Sequence, residues 1–391
     1  MNRLKKTWRI VILMITLTAF PLLSGCWDSI NLQDQGYITA LGIDYQQGKY
    51  KMYAQMASFG SVAKTQSPTS EEDTTWIGTG EGSTVIMAYS ELMRTAQFTI
   101  SLDHLKALVI HERALPKVND ILDGVNRQRA SRYTSYVFGT NTELEKILNT
   151  STFFQRSPLL SVIYLPDLQF RQNSFFRPLS MQLFVQALDE PGFTALLPSL
   201  TVEDKSWKNS TKNLVVQKFD GIYLFSGRKL QTYMNYDEAQ GFRWIDPKFE
   251  QYIMVVQGSN KTKVTVAITK SQAKYKLLSG GDHPRYELVM NLKGHTVEVD
   301  GLTNAAAIER EMENKIRQEM MRTYKAGCDK KTDIFLMNEQ LYRFHNKLWK
   351  KLKKEKWVPN EDSLDLKVHF QLIHTGKFQL NSVNHETNAT E

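Results

Sequence analysis

Ile38-Thr39-Ala40-Leu41-Gly42-Ile43-Asp44, a Gln46-Gln47-Gly48 turn, and then Tyr50-Lys51-Met52-Tyr53-Ala54-Gln55-Met56 read as two strands folded back on each other. Apolar and polar residues alternate on both sides of a glycine-bearing turn, which is the pattern of a β-hairpin. The downstream residues decide how the hairpin is used. A helix capped by Ser83 and running to about Ala96 is read from Val85, Met87, Ala88, Leu92 and Ala96 near helical spacing. A strand from Leu105 to Ile110, a helix from Val118 to Asn126, a strand from Arg132 to Phe138 and a short helix from Thr140 to Asn149 come next. This alternation predicts an α/β layer, and the antiparallel hairpin at its head makes the sheet mixed.

Between the hairpin and the first helix, residues 60–75 are rich in Ser, Thr and Gln and carry Pro68 and Glu71-Glu72-Asp73, the composition of a mobile surface loop. Farther on, Pro158, Pro166 and Pro178 punctuate an irregular stretch before a helix near Leu179 to Leu188, which Pro191-Gly192 stops. The polar run from Glu203 to Asn213 is read as the boundary between two domains.

Beyond it, Phe219 to Phe225, Leu230 to Met234, Lys263 to Thr269, Ala273 to Leu278 and Arg285 to Leu292 read as strands of an antiparallel meander. Tyr286, Leu288, Met290 and Leu292 share one face, so one side is buried and helices must cover it. Ile308, Met312, Ile316, Met320 and Tyr324 fall four apart on a long amphipathic helix ended by Gly327. A second helix runs from Asp333 to Pro359 with Met337, Leu341, Phe344, Leu348 and Leu352 inward, and Leu366 to Leu372 is a closing strand. The expected class is α+β and multi-domain. Residues 1–25 are a signal peptide, 26–205 a mixed α/β domain, 206–376 an antiparallel sheet with two long amphipathic helices, and 377–391 a polar tail.

Composition narrows the function. With 41% apolar and 23% charged residues over 391 positions, the chain can bury a core of ordinary size. Of the net charge of +8, Arg3, Lys5, Lys6 and Arg9 supply half, so the remainder is too weakly basic to argue for nucleic acid. Those four cations precede the apolar run Ile10 to Leu23, in which Thr16 and Thr18 are the only polar residues. Fourteen residues are too few for a stable membrane span, and the arrangement is that of a secretory signal peptide. Ser24-Gly25-Cys26 at its end resembles a bacterial lipobox, in which the cysteine is alkylated by diacylglycerol and becomes the new N-terminus. Cys26 is the candidate lipidation site. The alternative is a bridge between Cys26 and Cys328, the only other cysteine.

No motif for catalysis, metal or cofactor accompanies it. His104 and His111 bracket the Leu105 to Ile110 strand, and seven extended residues put them on opposite faces about 23 Å apart, too far to share a metal ion. Gly78-Thr79-Gly80-Glu81-Gly82-Ser83 superficially suits phosphate, but Glu81 would repel it and the chain has no P-loop lysine there. A flexible strand-to-helix turn explains it. Lys347, Lys350, Lys351, Lys353, Lys354 and Lys356 crowd the end of the last helix, as the helix dipole favours. A solvated face accounts for them, and contact with anionic headgroups is the sharper reading.

Gly25-Cys26-Trp27-Asp28, Gly36-Tyr37-Ile38 and Leu41-Gly42-Ile43-Asp44 together resemble the start of the Ger(x)C family, the lipoprotein C subunits of GerA-type spore germinant receptors. The likeness continues through His104, Asn126-Arg127, Gly221 to Phe225, Gly241-Phe242-Arg243-Trp244, Gly294, Cys328, Trp349, Trp357 and Gly376, over essentially the whole chain. It implies a non-enzymatic, cofactor-free subunit on the outer, non-cytosolic face of the spore inner membrane, complexed with integral membrane A and B subunits that transmit nutrient signals. It leaves open which nutrient is sensed and whether this subunit binds it. The competing reading is a solute-binding lipoprotein of a membrane transporter, which would show two similar lobes.

Overall fold

The hairpin forms where its alternation places it, as β1 (Gln35–Gln46) and β2 (Lys49–Ala57), in antiparallel register through Tyr45↔Tyr50 and Gln46↔Lys49. Gln47 and Gly48 take positive φ of 51° and 79°, the turn geometry that matches strand twist. The computed structural model describes residues 35–57, 75–128, 133–150, 152–210, 212–257, 262–300 and 304–373, with 8, 13 and 14 as isolated positions. Apart from those three positions, residues 1–25, read above as a signal peptide, lie outside the described residues, as do Cys26, nearly all of the 60–75 loop and the tail from 377.

β3 (Trp76–Gly82) extends the hairpin, and α1 (Val85–Thr95) lies directly across it. This corrects the glycine-rich turn. Gly78, Gly80 and Gly82 are strand residues, and a Cβ on Gly80 would stand 2.3 Å from the carbonyl oxygen of Ala88, so glycine lets the helix touch the strand. The cap is Thr84 rather than Ser83, its hydroxyl accepting the Met87 N–H at 3.2 Å. Two adjacent hydroxyls made the local pattern ambiguous by one residue.

The sheet continues with β4 (Thr99–Ser101), β5 (Ala107–His111), α2 (Val118–Asn126), β6 (Tyr136–Thr140), α3 (Leu144–Leu148), α4 (Pro166–Gln172), β7 (Leu179–Ser180) and α5 (Met181–Asp189). It ends in β8 (Thr194–Glu203), β9 (Val216–Ser226) and β10 (Lys229–Asn235). The strand order is β10-β9-β8-β6-β5-β1-β2-β3, with β4 beside β1 and β7 beside β6. β1, β5, β6 and β8 run parallel at its centre, and antiparallel pairs flank them. β5 is covered on both faces, so Ala107 to His111 is fully buried: Leu108 and Ile110 face α1, α2 and α5, while Ala107 and Val109 face α3.

The run at 203–213 joins β8 to β9, which pair antiparallel from Thr194↔Ser226 to Glu203↔Val216. β9 and β10, expected to open the second sheet, therefore belong to the first. Alternation marks a strand without saying which sheet will take it.

After α6 (Tyr236–Ala239) comes a four-stranded sheet in the order β11 (Tyr252–Gln257), β12 (Lys263–Ser279), β13 (Arg285–Asp300) and β14 (Leu364–Leu372). β12 is one long strand with a register shift between Ile268 and Lys270, where two strands were expected. The class is the expected α+β arrangement, but β14 runs parallel to β13 rather than antiparallel. Between them the chain crosses back through α7 (Ala305–Asp329), α8 (Met337–Phe344) and α9 (Asn346–Lys354), and such a crossover permits a parallel neighbour.

Ile308, Met312, Ile316, Met320 and Tyr324 of α7 lie on the buried face of this sheet as their spacing predicts. Gly327 does not end the helix. It lies inside α7, where a Cβ would meet Ile334 at 2.6 Å. The second long helix is two short ones, and the break at His345 leaves Phe344 71% exposed rather than inward. Asp333 precedes them and accepts the Met337 and Asn338 N–H groups at 3.0 and 2.6 Å.

Candidate functional site

Three places gather polar chemistry. The first lies at the carboxyl ends of β1 and β5. Asp44 and His111 are both buried, with His111 Nδ1 3.6 Å from Asp44 Oδ1. Arg113 donates to both carboxylate oxygens, at 3.1 and 2.5 Å, and the Tyr45 N–H and Gln46 Nε2 add two more bonds. Burial works against the charge on Asp44, but Arg113, Gln46 and the Tyr45 N–H together hold its pKa below the usual carboxylate range. Burial likewise lowers the His111 pKa, and His111 Nδ1 accepts the Arg113 N–H at 3.2 Å, so this imidazole is neutral near pH 7. The cluster ties the loop after β5 to the end of β1. His104 instead packs edge-on against Tyr37, 4.6 Å between centroids, so the structure does not bring the two histidines together.

The second is the joint between the sheets. Ser174, from the stretch after α4, hydrogen-bonds the backbone of Glu250 and Gln251, while Phe175 and Phe176 enter the core of the four-stranded sheet. There they meet the Gly241-Phe242-Arg243-Trp244 turn. Trp244 Nε1 donates to Glu319 on α7 at 3.1 Å, and the Gly241 N–H donates to Thr323 at 2.8 Å. Arg243 is 1% exposed among Phe175, Tyr236, Trp244 and Tyr252. On the other side, Gly192, at φ 74°, approaches α8 so closely that a Cβ would stand 2.7 Å from the Asn338 carbonyl oxygen. One shared core therefore joins the two sheets.

The third is a cleft of about 1320 Å³ beside that joint. Arg177 lies 3.8 Å from Asp246, and Arg343 bonds Glu339 at 2.7 Å and approaches Glu190 at 3.8 Å, so both signs of charge line it. Burial raises the Glu339 pKa. Among the described residues no group of three His, Cys, Asp or Glu side chains could hold a metal ion, and no helix is long and apolar enough to cross a membrane.

Cys26 lies outside the described residues. Cys328, on α7, is a free thiol, half-buried, and burial pushes its pKa up to about 11. The lysines of α9 are partly engaged: Lys351 pairs with Asp282 and Lys353 lies over the Trp349 ring at 4.7 Å. Sequence reasoning missed the Asp44–His111–Arg113 cluster, because its partners are 69 residues apart in the chain. It also marked Arg243 without the cage around it, which assembles from residues on four segments.

Two family descriptions match the chain: "Spore germination protein N-terminal domain" over residues 28–202 and "Spore germination B3/ GerAC like, C-terminal" over residues 220–376. Spore germination protein KC of Bacillus subtilis is 22% identical over 95% of this chain and 97% of its own length. Spore germination protein A3 of the same organism is 26% identical over 37% of this chain and 38% of its own. The crystal structure of the GerBC protein superposes with a TM-score of 0.55 at 18% identity, covering 85% of this chain and 97% of that one. At that identity the match is one of fold.

Proposed function

The chain belongs to the Ger(x)C family of spore germination proteins and shares its role in germination, and from that premise we propose that it is the lipid-anchored, non-enzymatic C subunit of a nutrient germinant receptor. In this reading residues 1–25 are removed, Cys26 carries diacylglycerol, and the chain sits on the outer face of the spore inner membrane beside integral A and B subunits. One observation carries it. The family matches begin at residue 28, directly after a basic and apolar leader ending in Ser24-Gly25-Cys26. Two or three acyl chains anchor a protein firmly where one holds it marginally, because each buried methylene contributes about 0.8 kcal/mol.

Mass spectrometry of the protein isolated from spore membranes tests the anchor. A mature chain starting at Cys26 with a diacylglyceryl adduct is the expected result, and an unmodified thiol refutes it. Co-purification of two integral membrane proteins from the same detergent extract tests the assembly, and deletion of the gene should abolish one nutrient response without affecting growth.

The charged cleft between the sheets is the observation that favours the second reading, a solute-binding lipoprotein. That reading requires millimolar nutrients to raise the melting temperature of the purified chain through binding linkage. A flat response with every nutrient removes it.

A further inference from the structure

Phe153 and Phe154 stand exposed in a single turn before Pro158, with Phe154 87% exposed. Trp207, on the connection between β8 and β9, is 56% exposed and meets Phe153 edge-on at 4.9 Å between centroids. Two segments more than fifty residues apart thus bring three aromatic rings together at the surface rather than in the core. Phe154 adopts a left-handed backbone, φ 59° and ψ 29°, which costs a bulky side chain more than Asn or Gly. So exposed a ring contributes little to the core, and nothing in the packing requires an aromatic there.

The patch stands on a firm base. Gln217 donates to the Ile147 carbonyl at 2.8 Å and accepts the Ile163 N–H at 3.2 Å, and Gln55 donates to the Leu148 carbonyl at 2.8 Å, fixing both ends of the Phe153 segment to the sheet. The Leu214 N–H donates to the Trp207 carbonyl at 2.8 Å, and Lys208 bridges to Asn213. Arg156 lies 5.8 Å from the Phe154 centroid, and the Trp207 connection carries exposed Lys205, Lys208 and Lys212 against the exposed Asp204 and the part-exposed Glu203, so cations outnumber acids there.

We infer that Phe153, Phe154 and Trp207 form a second membrane contact, their rings at the headgroup boundary of an anionic bilayer and Arg156, Lys205, Lys208 and Lys212 against its phosphates. The inference rests on the membrane-anchored reading above and adds the face that meets the bilayer. Tryptophan prefers the membrane–water boundary, phenylalanine can dip into the acyl layer just beneath it, and each neighbouring cation contributes about five-fold in affinity for an anionic surface. The rings project from turns instead of lining a groove. A bilayer boundary accepts such projections without shape complementarity, whereas a protein partner would need a matching hollow.

The test uses the mature lipidated chain, reconstituted into vesicles of equimolar phosphatidylglycerol and phosphatidylcholine with brominated acyl chains. The Trp207 emission is taken as the difference between the wild type and Trp207→Phe. It should be quenched and blue-shifted, and quenching should be lost in Phe154→Asn, a change the left-handed backbone tolerates. Phosphatidylcholine alone or high salt should weaken it. A chain retained on vesicles with Trp207 unquenched overturns the inference while leaving the anchor intact. So does quenching of Trp349 and Trp357 instead, which would make the lysine-bearing α9 the membrane face, and so does protection of Trp207 only with integral subunits present, which would make the patch a protein contact. A chain not retained at all refutes the anchor, and the membrane contact with it.

Discussion

Arg243 stacks on Tyr252, its guanidinium carbon 3.7 Å from the ring centroid, at the joint between the two sheets. Its Nε donates to the Gln240 carbonyl at 2.7 Å, while neither terminal nitrogen meets a hydrogen-bond partner, so the rings of Tyr252 and Phe175 carry the remaining interaction with the charge. A planar cation suits that role better than a compact ammonium. Arg243→Lys should cost about 1–2 kcal/mol in urea unfolding, and Arg243→Ala more, because the cage is also left empty. Equal stability of Arg243→Lys and the wild type would remove the cation–π account.

The contact of α1 with β3 makes a second prediction. Gly80→Ala places a methyl 2.3 Å from a backbone oxygen that cannot swing aside, so about 2 kcal/mol or more should be lost. Gly48→Ala meets open space and pays only for its positive φ, about 1–2 kcal/mol. The larger loss at Gly80, read from denaturation midpoints, is the expected order. The reverse would mean that α1 lifts off the strand easily.

Acidification should act in two opposed ways. His111 has a folded pKa below its unfolded value, so the unfolded chain binds more protons and stability falls as pH drops below about 6.5. Asp44, also lowered, adds a loss at still lower pH. For Asp333, burial raises the pKa from 3.8 to about 6, so its charged form costs roughly 3 kcal/mol at neutral pH, a cost that fades as pH falls through 6 toward 4. Relative to the wild type, His111→Gln should therefore gain stability as pH falls below 6.5, while Asp333→Asn should lose it between pH 6 and 4. Unfolding at a series of pH values checks both signs.

Cys328 should resist alkylation. A half-buried thiol with its pKa pushed up to about 11 holds little thiolate at pH 8, so iodoacetamide should modify it far more slowly than a free cysteine peptide. Rapid labelling of the folded chain would contradict the burial. Labelling after urea unfolding supplies the control.

Strand and helix identities were largely legible in the chain. Alternation marked β1, β2, β13 and β14, and fourfold spacing marked the buried face of α7, because each pattern is set by backbone geometry within a few residues. β8 went unread, since Pro198 in its middle argues against a strand, yet the sheet accepts it where β6 pairs only through Gly139↔Ser199. β11 also escaped notice, a six-residue edge strand.

Local periodicity, the basic and apolar leader and the absence of known catalytic motifs are properties of neighbours in the chain, and the sequence alone determined them. Which sheet took β9 and β10, the parallel placement of β14, the Arg243 cage and the clustering of Phe153 with Trp207 were decided only in three dimensions. The reason is physical. Each depends on contacts between segments far apart in the chain, and these form only when burial of shared apolar surface offsets the entropy of closing the loops between them.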